Sequence, residues 1–258
     1  KKNPLVKLSK KEYKLELVTV SNKKRFARSI IKNVIKNSSK NNYFNASFST
    51  NLYTKSILDK KDLSKGRFND TLQLSFSEKY SKISYHEGKF KEIKLGVQDL
   101  STKEEANLLH SKKWDIFNSR KLIETNIKSD LFYTDISDGN FNFYKGLISV
   151  PKLGQNPFIS PLGPLSLISY DFSYLGSYIE RGNVIHKIKI IPKRPHESVF
   201  NGIVQIEDSS WSIVTVQLEM NGKNLHKYES FKIFQRFNQQ NGKRILDRQE
   251  FFFHYTSG

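Results

Sequence analysis

At 258 residues, with 37% hydrophobic and 26% charged residues, 19 Phe and 12 Tyr, the chain can bury a sizeable core and is too apolar for a self-solvating disordered segment. The lack of cysteine excludes disulfides, thiol catalysis and thiolate-held metals, and no apolar run approaches the roughly 18 residues of a membrane-spanning helix. A net charge of +18 predicts attraction to nucleic acid, anionic headgroups or acidic proteins, although charges spread along the whole chain equally fit a solvated basic surface.

Residues 5–20, LVKLSKKEYKLELVTV, alternate with strand period and predict one or two short strands. Ser21 or Asn22 can cap a helix over 23–37, because Phe26, Ile30 and Val34 recur at helical spacing beside Ala27, Ile31 and Ile35. The outer face of that helix holds Lys23, Lys24, Arg28, Lys32 and Lys36. It reads as a membrane-surface or nucleic-acid helix, or as an ordinary solvated face over a helix packed on a sheet; the apolar stripe needed for a core favours the second. From Tyr43 to Leu95, alternating runs separated by polar turns predict an antiparallel sheet, and the Ser101–Glu105 stretch opens a second helix toward Phe117.

The stretch around Pro157, Pro161 and Pro164 is rich in aromatics and reads as an extended loop over the sheet, followed by a short helix or strand from Leu165 to Tyr174. Its aromatics either plug a core or line a ligand cleft, with Phe158, Tyr170, Phe172 and Tyr174 as the candidate cleft residues. After Gly182 the chain becomes a meander of strands, its last two joined by the hairpin-forming pair Asn241-Gly242. The reading is therefore α+β: a large curved antiparallel sheet, with one or two packed helices and a Pro/aromatic-rich loop. Residues 1–22 read as the end of an upstream β-sandwich or a linker strand, and 23–258 as a single β-rich domain with helices near 23–37 and 102–117.

The sequence carries few signs of chemistry. The histidines show no metal spacing, and no nucleophile elbow, phosphate-binding loop or dinucleotide turn occurs. Glu104-Glu105 falls at a helix start and Glu207-Asp208 in a turn, and adjacency in sequence is not the facing geometry of acid–base catalysis. No catalytic residue, cofactor or metal site is expected. HKYESFKIFQRFNQQNGKR resembles a single-strand nucleic-acid surface, but strand alternation turns Phe231, Ile233 and Phe237 to one face, so nucleic acid is not the favoured partner. The exposed basic loop Lys193, Arg194 and His196 is the candidate contact for a partner or an anionic headgroup.

One further likeness comes from whole motifs. Ser160-Pro161-Leu162 before an aromatic segment, Ile190-Ile191-Pro192-Lys193-Arg194 closing a strand, Phe200-x-Gly202-x-Val204-x-Ile206, Trp211-x-Ile213 and LSFSEKYSKISY together resemble the Bacteroidota family catalogued as domain of unknown function 5686. KEYKLELVTV looks like the last strand of the carboxypeptidase-regulatory-like β-sandwich that precedes it. The resemblance implies a periplasmic region next to a C-terminal outer-membrane β-barrel of the same protein, with other envelope proteins as partners. It transfers no catalytic residue. A shorter likeness to periplasmic lipoprotein carriers implies a half-open barrel around an apolar cavity. Three expectations follow: a non-enzymatic scaffold or docking module, a lipid or lipoprotein carrier, or a polyanion-binding module.

Overall fold

The computed structural model describes residues 22–60, 73–101 and 136–255. The strands expected within 5–20 and the helix expected near 102–117 lie outside these residues. Two compact units divide the chain, one within Lys1–Tyr43 and Phe141–Gly258, the other within Phe44–Asn140. By sequence alone, 23–258 reads as one domain. Local alternation cannot separate one sheet from two, and here the ladders do: β1–β3 pair only among themselves, as do β6–β11.

The second unit is a meander of β1 (Phe48–Lys60), β2 (Gln73–His86) and β3 (Lys89–Ser101). Glu87 and Gly88 take the left-handed backbone of a tight hairpin turn between β2 and β3. On one face Ile83 and Tyr85 are buried, and Tyr85 packs against Phe44, Phe48 and Phe90 at ring distances of 5.0, 5.3 and 4.9 Å.

The first unit opens with α1 (Lys23–Lys36), whose cap is Asn22: its side-chain oxygen accepts from the Arg25 N–H at 3.1 Å. Of the expected stripe, Ala27, Ile30, Ile31 and Val34 are buried, while Phe26 and Ile35 at its edges are half-buried. A short helix, α2 (Ser38–Asn41), follows. The chain re-enters this unit at Phe141 and runs as an extended segment carrying the small pair β4 (Leu147–Ile148) and β5 (Phe158–Ile159), then α3 (Ser166–Ser169). Phe141, Phe143, Tyr144, Val150 and Leu153 of this segment are buried.

Six antiparallel strands complete the unit: β6 (Tyr170–Glu180), β7 (Asn183–Pro192), β8 (Asn201–Glu207), β9 (Ile213–Asn221), β10 (Tyr228–Gln240) and β11 (Lys243–Tyr255), neighbours in sequence being neighbours in space. The hairpin turns Arg181-Gly182 and Asn241-Gly242 both have positive φ, as tight turns require. Register pairs Ile188 with Val204, Val204 with Val216, and Leu218 with Ile233, so one face is a largely aliphatic floor, into which Gln235, the partner of Val216, also points. Lys187, Gln205, Thr215 and Arg236 alternate to the other face.

The sheet is open but curved. In a flat sheet β6 and β11, five strands apart, would stand about 24 Å from each other. Yet Tyr178 and Glu180 of β6 line one depression of about 100 Å³ together with Arg244 of β11. Bulges between Tyr174 and Gly176, Gln205 and Ile206, and Arg236 and Phe237 supply the bends. Gly202 (φ +147°) supplies a close approach: a Cβ there would lie 2.2 Å from the Gln217 carbonyl oxygen.

Candidate functional sites

The apolar cleft expected at Phe158, Tyr170, Phe172 and Tyr174 is closed. All four are buried, at 0, 0, 3 and 5% exposure. Phe158 packs on Phe200 at 5.8 Å, and Tyr174 receives the edge of Phe26 from α1 at 4.9 Å. The Tyr170 hydroxyl donates to the Ile159 carbonyl at 2.5 Å and accepts from the Phe200 N–H at 3.1 Å, pinning the extended segment to the start of β8. Burial pushes the hydroxyls of Tyr170 and Tyr144 well above the ordinary phenol range. The aromatics are a plug because α1 and the extended segment both lie on the aliphatic floor, which leaves their side chains facing protein.

The basic loop is exposed as expected, with Lys193, Arg194 and His196 all at the surface. Part of its charge is answered locally: Arg194 pairs with Glu197 at 2.7 Å, three residues on. The Lys193 N–H donates to the Ser169 carbonyl, which fixes the loop beside α3.

A polar centre that sequence reasoning missed lies where β8 ends. Glu207 and Arg244 form an ion pair at 2.6 Å with side-chain exposures of 6 and 9%. Asn183 donates to the same carboxylate at 3.0 Å, and the Ser210 and Ser212 hydroxyls at 2.6 and 3.3 Å. Burial pushes the Glu207 carboxyl up, but the hydrogen bonds from Arg244, Ser210 and Ser212 and the guanidinium charge outweigh it, and the group sits below its usual range. Arg244 also donates to the Phe237 carbonyl at 3.2 Å. Glu207-Asp208 reads in sequence only as two acids in a turn. Nothing local signals a partner 37 residues away.

Beside this centre His186, 7% exposed, places its ring nitrogens 3.3 Å from the Tyr174 hydroxyl and 3.4 Å from Asp208, and Trp211 stacks over it at 6.5 Å. The tight turn that carries these groups holds Ser209 and Trp211 at positive φ, strained backbone for residues with a Cβ. Most of these polar groups engage another protein group and brace the turn, while the Arg244 Nε is buried without a hydrogen-bond partner. Among the described residues no cluster of three or more His, Asp or Glu can hold a metal ion.

The most unusual surface belongs to β1–β3. Alternation puts Tyr53, Ile57, Tyr80 and Ile93 on the face opposite the buried Ile83 and Tyr85, and they are 58, 57, 45 and 50% exposed. Tyr53 and Tyr80 are direct cross-strand partners. The opposite face holds the charged pair Lys79 and Glu92 at 2.8 Å, only 12 and 7% exposed, with Ser81 donating to Glu92. Each face therefore mixes apolar and charged side chains, with Lys55, Glu78 and Lys82 beside the exposed apolar set.

No curated protein and no solved structure matches the chain. A family model does, over residues 30–257, a span that covers α1 from Ile30, the three-stranded meander and the whole six-stranded sheet. The chain belongs to the family of unknown function DUF5686.

Proposed function

We propose that this chain is a non-enzymatic docking module of a Bacteroidota cell-envelope protein. It works on the periplasmic side of the outer membrane beside the C-terminal β-barrel of its own protein, and a protein partner seats on the outer face of β1–β3. The observation that carries this reading is the exposed set Tyr53, Ile57, Tyr80 and Ile93 on one face of a long three-stranded sheet. Exposed aromatic and aliphatic side chains set among charged ones on a single sheet face suit a protein contact, and Tyr in such a position buries a large ring while keeping a polar tip. The location rests on the family resemblance.

The carrier reading has less support. A carrier needs an apolar cavity, and the residues expected to line one are packed against Phe26 and Phe200. The non-enzymatic reading is supported by the pairing of Glu207 with Arg244 and of His186 with Tyr174 and Asp208.

The test is site-specific photo-crosslinking in the native envelope, with the probe at Tyr53 or Ile93 and, as control, at Lys232 of β10. A discrete protein adduct at the first two positions, absent at Lys232, and lost in an Ile57→Ser/Tyr80→Ser background, is the expected result. Identical adducts at all three positions, or none at Tyr53 and Ile93, would refute the docking face.

A further inference from the structure

The cations of α1 are placed where helix physics disfavours them. Its first turn carries Lys23, Lys24 and Arg25 and no acid, at the end where the macrodipole is positive. Lys24, Arg28, Lys32 and Lys36 then follow one another at i, i+4, a ladder of like charges in which each step opposes the helix. Among the described residues none of these side chains enters an ion pair. A sequence that violates local rules without an internal compensation points to an external one, here an anion.

The surroundings say which kind. Lys24, Arg25 and Arg28 line a depression of about 280 Å³ with Asp171 and Phe172, at the start of β6. Asp171 is the register partner of Ile191 on β7, and Tyr170 that of Pro192. The same end of the β6–β7 hairpin therefore carries α3, which precedes β6, and the basic loop that follows β7. At this end Ile168 and Ile191 are 65 and 39% exposed, and Leu165 is 40% exposed. Lys193 is exposed at the same end, tied by its N–H to the Ser169 carbonyl.

Exposed aliphatics flanked by unneutralised cations are the chemistry of an interfacial membrane contact: the side chains enter the acyl boundary while Lys and Arg meet phosphates. Single-stranded nucleic acid would be served by exposed aromatic platforms among the cations, and here Phe172 is 3% exposed and Phe26 packs on Tyr174. The apolar stripe of α1 is spent on the core, so the helix contributes charge alone and the aliphatics come from α3 and β7.

We propose that this end of the first unit seats on an anionic lipid surface, with Lys24, Arg25 and Arg28 holding phosphorylated headgroups and Ile168 and Ile191 entering the interface. This surface is separate from the docking face of β1–β3, and either can fail without the other.

The experiment is flotation of the 258-residue chain with phosphatidylglycerol vesicles and with phosphatidylcholine vesicles. The chain floats with the first and not the second, and added salt releases it. Each Lys or Arg near an anionic surface is worth about fivefold in partitioning, so Lys24→Gln/Arg25→Gln/Arg28→Gln weakens binding roughly a hundredfold. Ile168→Ser/Ile191→Ser weakens it about tenfold. Lys223→Gln/Lys232→Gln/Lys243→Gln removes the same charge from exposed positions elsewhere and stays within about threefold of the parent chain, allowing for long-range attraction. All these positions are at the surface or half-exposed, and far-UV circular dichroism checks that each variant folds. Equal losses in the two triple variants, an unaffected isoleucine variant, or equal flotation with phosphatidylcholine would overturn the proposal. So would displacement by millimolar inorganic phosphate, which assigns the depression to a free ion, or tighter α1-dependent binding to duplex DNA than to vesicles.

Discussion

Replacing Arg244 by Ala isolates what holds the curved sheet at its closed end. The guanidinium joins the start of β11 to the end of β8, across two intervening strands, through Glu207 at 2.6 Å, and it satisfies the Phe237 carbonyl as well. With side chains 6 and 9% exposed, the pair is far enough from water that breaking it strands a buried carboxylate. Loss of one partner of a buried pair costs about 3–5 kcal/mol. Removing both charges together, as Glu207→Leu/Arg244→Leu, recovers part of that, because no charge is left unpaired although Asn183, Ser210 and Ser212 lose their acceptor. The assay is urea unfolding at pH 7 and pH 5. In the parent chain the depressed Glu207 carboxyl contributes stability above its unfolded pKa, about 4.3, and loses it as pH falls through the lower folded value. In Arg244→Ala, burial is opposed only by the Ser210, Ser212 and Asn183 hydrogen bonds, so the folded pKa moves above the unfolded one. Folding then takes up a proton, and the deficit relative to the parent narrows as pH falls from 7 toward 5, by at most about 1.4 kcal/mol per unit. A deficit under about 1 kcal/mol at pH 7, or one that stays constant or widens toward pH 5, would refute the reasoning.

Gly202→Ala forces a methyl to within 2.2 Å of the Gln217 carbonyl oxygen at a φ of +147°, and strain plus overpacking should lower stability by about 2–5 kcal/mol. A urea midpoint indistinguishable from the parent's would show that β8 and β9 can part there at no cost. Tyr170→Phe keeps the buried ring but leaves the Ile159 carbonyl and the Phe200 N–H without their shared partner, a loss of about 1–3 kcal/mol. Faster amide exchange at Phe200 should accompany it; unchanged exchange there would mean that the hydroxyl does not hold the segment.

Much of the fold was legible in local pattern. The helical spacing of Phe26, Ile30 and Val34 beside Ala27, Ile31 and Ile35 predicts α1, and of the two candidate caps, Ser21 and Asn22, Asn22 is the one that caps it. Period-two alternation gave β7 to β11, and Asn241-Gly242 gave the last hairpin. Motifs spread over most of the chain pointed to the family. These signals are short-range, because a helix face or a strand face is decided by neighbours a few residues apart.

What the chain does at longer range was decided by tertiary structure. The same aromatic residues fit a plug or a cleft, and only the packing of Phe26 and Phe200 against them closed the space. Glu207 found Arg244 because bulges bend the sheet, and curvature has no one-residue signature. Tyr53, Ile57, Tyr80 and Ile93 alternate as core residues would, and which face of β1–β3 meets solvent depends on what covers the other. The cations of α1 and the aliphatics of α3 and β7 are more than 130 residues apart in sequence, and they share one end of a hairpin only because antiparallel pairing returns the chain to it. Periodicity determines which residues share a face; the course of the backbone determines what that face meets.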